Sequence, residues 1–183
     1  MQRSSALLLV MLSALSSLGV GLLGPVYPIF VVNRLSASYV DLGFLYAVIL
    51  LTAAFFKAPA GKLADTYGKN RVFMVGVMIG ACCSLAYVFT SSLAQLYIVE
   101  FFYGLSHALE RPSLIALIVD FSDNDKRGFT VGMFESVYDM VEAFAAVLST
   151  LIVSQLGFEP LFIMSSSCQV LTGVFVVKSV HRA

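Results

Sequence analysis

The sequence has no tryptophan, little charge and no excess of either sign, and each shortage removes a class of protein. Charged residues make up 12% of the 183-residue chain and hydrophobic residues 59%. Ordinary soluble domains are about one quarter charged, so lipid is the natural solvent for this composition. Lysine plus arginine balances aspartate plus glutamate, 11 against 11, which leaves no basic face for nucleic acid and no acidic tail. The three cysteines, Cys82, Cys83 and Cys168, lie inside apolar runs and two are adjacent. They build no disulfide framework and read as small packing residues. Also absent are an H-E-x-x-H run, a Gly-rich phosphate loop after a strand and a Ser nucleophile motif, so an intramembrane enzyme finds no support and no cofactor is implied.

What is present is a series of long apolar segments. A hydrocarbon core of about 30 Å needs about 20 residues of helix, and six segments meet or approach that length. They are Ser5–Val32, Val40–Ala60, Val72–Phe89, Leu96–Phe121, Phe129–Leu156 and Leu161–Val177. The first runs about 28 residues, against about 7–15 for the apolar region of a secretory signal, so it is a spanning helix rather than a leader. The intervals are short and hold Gly, Pro, Ser, Asn or charges, and no linker divides them, so residues 1–183 read as one all-α membrane domain, a bundle of six transmembrane helices. With six spans both termini share a side. That side holds Arg3, Lys57, Lys62, Lys69, Arg71, Lys126, Arg127, Lys178 and Arg182, and the opposite loops hold only Arg34. The positive-inside rule therefore puts both termini in the cytoplasm of a multi-pass protein of the cell membrane.

Between the second and third segments the sequence reads Gly61-Lys62-Leu63-Ala64-Asp65-Thr66-Tyr67-Gly68-Lys69-Asn70-Arg71. Gly61 and Gly68 permit close backbone approach and a tight turn, while Asp65 is an acid expected among Lys62, Lys69 and Arg71. An ordinary positive-inside loop would explain the basic residues but not two spaced glycines around an acid. This segment resembles the signature of the major facilitator superfamily, G-x-L-a-D-r-x-G-r-k-r, which lies between the second and third helices of each member. Gly21-Leu22-Leu23-Gly24-Pro25-Val26-Tyr27-Pro28 is similar to the Gly- and Pro-rich first helix of the N-terminal half. The run from Asp120 through Lys126, Arg127 and Gly128 is similar to the family's loop after the fourth helix.

The resemblance covers essentially the whole chain and implies one six-helix half, built as two inverted three-helix repeats. It implies a cytoplasmic gate of Gly61, Asp65, Gly68, Lys69, Arg71, Asp120 and Arg127, in which Asp120 meets Lys69 or Arg71. Three departures stand out. Thr66 replaces a basic residue, Glu100-Phe101-Phe102-Tyr103-Gly104 occupies the place of an R-x-x-x-G pattern, and Ala145-Ala146 falls where antiporters carry Gly-Pro. The residues of the usual proton-antiport scheme are therefore not all present. Members with this loop carry sugars, drugs, ions or metabolites, so no particular solute is implied.

Ionisable residues inside a span cost about 2.5–3.5 kcal/mol each on insertion scales and face a cavity or a partner. The fourth segment carries Glu100, His107, Glu110 and Arg111, and the fifth carries Glu135, Asp139 and Glu142. Glu100, Tyr103, His107 and Arg111 share one helical face. Counting back from the intervening loop puts Arg111 level with Asp139 and His107 level with Glu142, so Arg111 is expected to pair with Asp139, with Glu135 as a second partner. More acids than bases at this depth is the chemistry of a proton or cation site. The alternative is a static polar network that sets helix register or joins subunits. His107 and Glu110 are spaced i, i+3, but no second ligand pair accompanies them, so no metal site is expected. Ser165, Ser166, Ser167 and Gln169 in the sixth segment suit helix packing, and Tyr27, Tyr46 and Tyr138 are packing residues or cavity walls.

Full transporters of this kind have two six-helix halves with the substrate between them. A chain that stops after one half is expected to pair with a second copy, both parallel about a twofold axis, and to move a small molecule or ion. A separately encoded half, a non-transporting scaffold and a truncated remnant are the alternatives.

Overall fold

The computed structural model describes residue 11, residues 14–120, residue 122 and residues 124–180. Arg3, Phe121, Arg182 and the start of the first expected span lie outside the described residues. The chain is all helical, with no strand among the described residues: α1 (Ala14–Leu35), α2 (Tyr39–Tyr67), α3 (Lys69–Phe89), α4 (Leu93–Asp120), α5 (Arg127–Leu156) and α6 (Phe158–Val180). A 3-10 turn, Asn124–Lys126, leads into α5. Five of these helices are long and apolar enough to cross a membrane. The exception is α4, whose 28 residues are ample for length but include Glu100, His107, Glu110 and Arg111, which lower its apolarity.

Short connections force sequential helices to run antiparallel. A capping box starts α2, in which the Asp41 amide donates to Ser38 Oγ (3.1 Å) and the Ser38 amide donates to Asp41 Oδ2 (2.9 Å). Gly68, at φ +96°, is the entire link between α2 and α3, a conformation that glycine adopts without steric cost. The signature segment is therefore mostly helix rather than loop, because α2 continues past the expected end at Ala60, through Pro59, to Tyr67. Gly61 sits inside that helix with open space around it, which corrects the expectation of close backbone approach there. In α1, residues 22–25 form a turn between two helical stretches, where Pro25 has no amide hydrogen to continue the ladder.

Helices in lipid gain nothing from hiding apolar surface from water, so close backbone approach and dispersion must hold them together. Glycines supply that approach. A Cβ on Gly104 would stand 2.6 Å from the Ile49 carbonyl oxygen of α2, and one on Gly76 would stand 3.0 Å from the Glu110 amide of α4. Gly21 lets α1 reach Glu142 and Ala145 of α5. Around these crossings Phe73, Leu114, Ile118 and Phe134 fill one end of the bundle, and Phe30, Leu45, Tyr87 and Phe162 the other. Three of the four small polar residues of α6 serve packing: Ser165 Oγ donates to the Gly19 carbonyl (2.6 Å), Ser166 Oγ to the Ala81 carbonyl (2.9 Å) and Gln169 Nε2 to Ser84 Oγ (3.0 Å), whereas Ser167 is exposed and donates to the Ile163 carbonyl of its own helix.

The cover is uneven. Only 17% of the most apolar stretch is buried in α2 and in α5, against 56% in α1, 50% in α3 and 44% in α6. Two helices thus present unpartnered faces, with Phe44, Leu51 and Phe55 on α2 and Met140, Phe144 and Leu151 on α5. Replacing Gly104 by Val forces a side chain into the α2 backbone and is expected to cost about 1–3 kcal/mol or more. Gly132→Ala, at a position with nothing within 4 Å, is expected to be neutral. Thermal melting of the two purified proteins in detergent checks this contrast, and equal melting temperatures would refute the glycine-crossing account.

Candidate functional site

The polar stripe of α4 faces α1 and α5 across a cavity of about 260 Å³ lined by Ser16, His107, Glu110, Arg111, Tyr138 and Glu142. Arg111 is its organising charge. One guanidinium nitrogen donates to Glu135 Oε2 at 2.7 Å, and the guanidinium carbon lies 5.0 Å from the centre of the Tyr138 ring, within the range of a cation–π contact. Neither charge is sealed, since the two side chains are 35% and 32% exposed.

The pairing corrects the expected Arg111–Asp139 contact. The helices end at Asp120 and begin again at Arg127, so Arg111 and Glu135 lie about 13 Å and 12 Å into their helices, and Asp139 about 18 Å, at 1.5 Å per residue. Asp139 is left exposed on α5. Glu110 is held differently: Ser106 Oγ lies 2.9 Å from both its Oε1 and the Gly76 carbonyl oxygen. His107 and Glu142 line the same cavity, and no group of three metal-binding side chains occurs among the described residues.

Glu100 stands apart, toward the opposite end of α4. It is fully buried, and both carboxylate oxygens accept from the Tyr87 hydroxyl, at 3.1 and 3.2 Å. Tyr103 links the two regions, with its ring 6.4 Å from Tyr87 and 5.3 Å from His107 between centres. Beside Glu100 a second cavity of about 130 Å³ is lined by Tyr27, Tyr46, Tyr87 and Tyr103. Sequence reasoning named Tyr27 and Tyr46 but missed Tyr87, for which no local pattern exists. It also missed the helix crossing at Gly76 and Gly80, although that i, i+4 spacing of glycines in an apolar run was a readable signal.

At the α2–α3 end, Lys69 Nζ donates to both Asp120 oxygens, at 2.7 and 2.6 Å, which joins α3 to the end of α4. Asp65 and Arg71 are exposed, and Asp65 has no ion pair among the described residues. The expected cluster around Asp65 is not formed, because Lys69 turns across to Asp120 while Asp65 rides on the outer surface of α2. Arg127 is exposed at the start of α5. The other end has its own clamp, Arg34 to Glu159 at 2.6 Å, between α1 and α6.

The chain is similar in sequence to known proteins. A protein-family model described as Major Facilitator Superfamily matches residues 9–182. The Uncharacterized MFS-type transporter YitZ of Bacillus subtilis is 28% identical over 159 residues, which is 86% of this chain and 96% of the relative. The Tetracenomycin C resistance and export protein of Streptomyces glaucescens is 29% identical over 156 residues, 85% of this chain but 28% of the relative. The Quinolone resistance protein NorA of Staphylococcus aureus is 25% identical over 120 residues, 66% of this chain and 31% of its own length. The chain thus spans nearly all of one relative and about a third of the others. The family match takes in every helix that walls the two cavities, and on that extent the chain belongs to the Major Facilitator Superfamily.

Proposed function

We propose that the chain is a half-size secondary transporter that moves a small solute by alternating access as a homodimer. The observation that carries this reading is the Arg111–Glu135 pair. It lies well inside two apolar helices, is about one third exposed on each side, and opens on a polar cavity that one copy does not enclose. Charges at such depth require a wet interior rather than acyl chains, and a second copy set against the uncovered faces of α2 and α5 would provide one.

Several features support the details. α4 counts as a sixth crossing, because it is packed between α2 and α3 and its antiparallel neighbours both qualify as spans. Both termini then share the Lys- and Arg-rich side, the cytoplasmic side of a plasma or inner membrane. Proline interrupts α1 at Pro25 and occurs within α4 at Pro112, the first helix of each triplet. Lys69–Asp120 and Arg34–Glu159 close opposite ends, and a rocking motion needs one end to release while the other holds. Asp65 and Arg71 are exposed, which leaves them free to contribute to a cytoplasmic gate. Glu110, Glu135 and Glu142 against Arg111 and His107 leave an acid surplus suited to proton coupling. Two relatives are named for export or drug resistance, which favours outward transport of an organic compound.

In sealed vesicles with an imposed pH gradient, Arg111→Gln is expected to reduce solute flux about tenfold or more, and Asp139→Asn to leave it near the original rate. The reverse ranking would remove the proposed site, and no flux from any variant or the parent protein would favour a scaffold. For the gate, Lys69→Asp and Asp120→Lys are each expected to slow transport, with partial recovery when the two are combined. Absence of recovery would separate this ion pair from gating. Crosslinking in native membranes is expected to trap a dimer through the α2 and α5 faces, and monomer alone would count against the homodimer.

A further inference from the structure

We propose that Tyr27, Tyr46, Tyr87 and Tyr103 form, with Glu100, a binding box for the ammonium head of an organic cation. This rests on the transporter reading above and names the substrate class of its cavity.

Three observations converge. The first is charge. Glu100 is fully buried, and its hydrogen-bond donor is a neutral hydroxyl, Tyr87. Among the described residues no Lys, Arg or His forms an ion pair with it. Taking a carboxylate out of water without an opposite charge is costly; Glu100 lies behind the Tyr87 hydroxyl rather than in the cavity wall itself, and a cation in the cavity supplies the opposite charge from the other side of that wall.

The second is the shape and chemistry of the walls. The Tyr27 ring lies 5.8 Å from Tyr46 at 86° and 5.8 Å from Tyr87 at 57°, and Tyr87 lies 6.4 Å from Tyr103 at 61°. Rings set at steep angles make a concave aromatic surface, and the negative faces of such rings attract alkylammonium groups. The remaining lining, Val20, Leu23, Gly24 and Ile49, suits the carbon substituents of an amine and disfavours a bare, strongly hydrated metal ion. The cavity of about 130 Å³ exceeds the roughly 30 Å³ share of a single water and matches a compact head group.

The third is a buried hydroxyl with acceptor capacity to spare. Tyr27 is 6% exposed; its hydroxyl makes no hydrogen bond of ordinary length but lies close enough to Glu100 to interact with that carboxylate, so its proton is directed there and its oxygen lone pairs stay open. Buried hydroxyls ordinarily use that capacity. Here its oxygen can accept from an ammonium N–H, or stand against an N-methyl group, while Glu100 supplies the charge. Tyr46 is 41% exposed and forms the rim through which a ligand enters. Tyr103, in contact with His107, connects the box to the Arg111 cavity, where the rest of a larger substrate would extend.

The test is equilibrium binding to the full-length protein in lipid nanodiscs. The chain has no tryptophan, and four of its 8 tyrosines line the box, so the ligand-dependent part of its tyrosine emission, compared with that of Tyr46→Leu, reports on the box. Choline is titrated against its uncharged isostere 3,3-dimethylbutan-1-ol. Saturable quenching by choline and none by the alcohol is expected, with affinity about tenfold or more lower in Glu100→Gln and in Tyr46→Leu. Choline binding unchanged in a folded Glu100→Gln protein, or equal binding of the alcohol, would overturn the proposal. Should Glu100→Gln fail to give a folded protein, Tyr46→Leu decides alone, since that side chain lies at the rim rather than in the core. Choline binding in a protein that transports nothing would sink the transporter reading and keep the box. Transport of an uncharged solute without choline binding would do the opposite.

Discussion

Hydrocarbon offers no hydrogen bonds and no ions, so the fold depends on keeping the polar stripe of α4 away from it. That stripe holds Glu100, His107, Glu110 and Arg111 on the least apolar of the helices. Its protection comes from close backbone approach, with Gly104 against the Ile49 carbonyl on one side and Gly76 and Gly80 against Glu110 and Ser106 on the other. Larger residues at those crossings would push α4 outward and turn carboxylates toward acyl chains. The hydroxyls of Ser106 and Tyr87 then complete what packing begins, meeting Glu110 and Glu100 respectively.

The same constraint explains why one face of the bundle looks unfinished. α1, α3 and α6 are half covered, whereas α2 and α5 are mostly bare, and the partly exposed Arg111–Glu135 pair belongs to the α4–α5 side. Apolar residues such as Phe55 and Phe144 can meet lipid or another helix at similar cost, but the ion pair cannot meet lipid. An additional wall around the polar cavity is thus a requirement of the charges rather than of the apolar surface. The two end clamps are exposed ion pairs, of a kind typically worth about 0–1 kcal/mol each.

The architecture was legible in the sequence wherever one helix decides the matter. Run lengths located the helices, Gly68 announced the turn, and the spacing from Glu100 to Arg111 put one polar face on α4. Legibility failed where two helices must be placed against each other. Counting from approximate span ends shifted α4 against α5 by about one turn and selected Asp139, whereas the true ends at Asp120 and Arg127 select Glu135. The signature segment misled in a similar way, because its charges suggested a cluster around Asp65 and the turn at Gly68 sent Lys69 to Asp120 instead.

By itself, then, the sequence determined that the chain is helical and membrane-embedded, and that α4 carries Glu100, His107, Glu110 and Arg111 within one apolar segment. Those outcomes follow from composition and from the 3.6-residue period, since a segment in lipid must satisfy its own backbone. The tertiary structure alone decided which acid holds Arg111, that Tyr87 caps Glu100, and that four tyrosines from α1, α2, α3 and α4 line one cavity. Such contacts join residues far apart in the chain, and a slip of one turn, about 5.4 Å, is enough to exchange one partner for another.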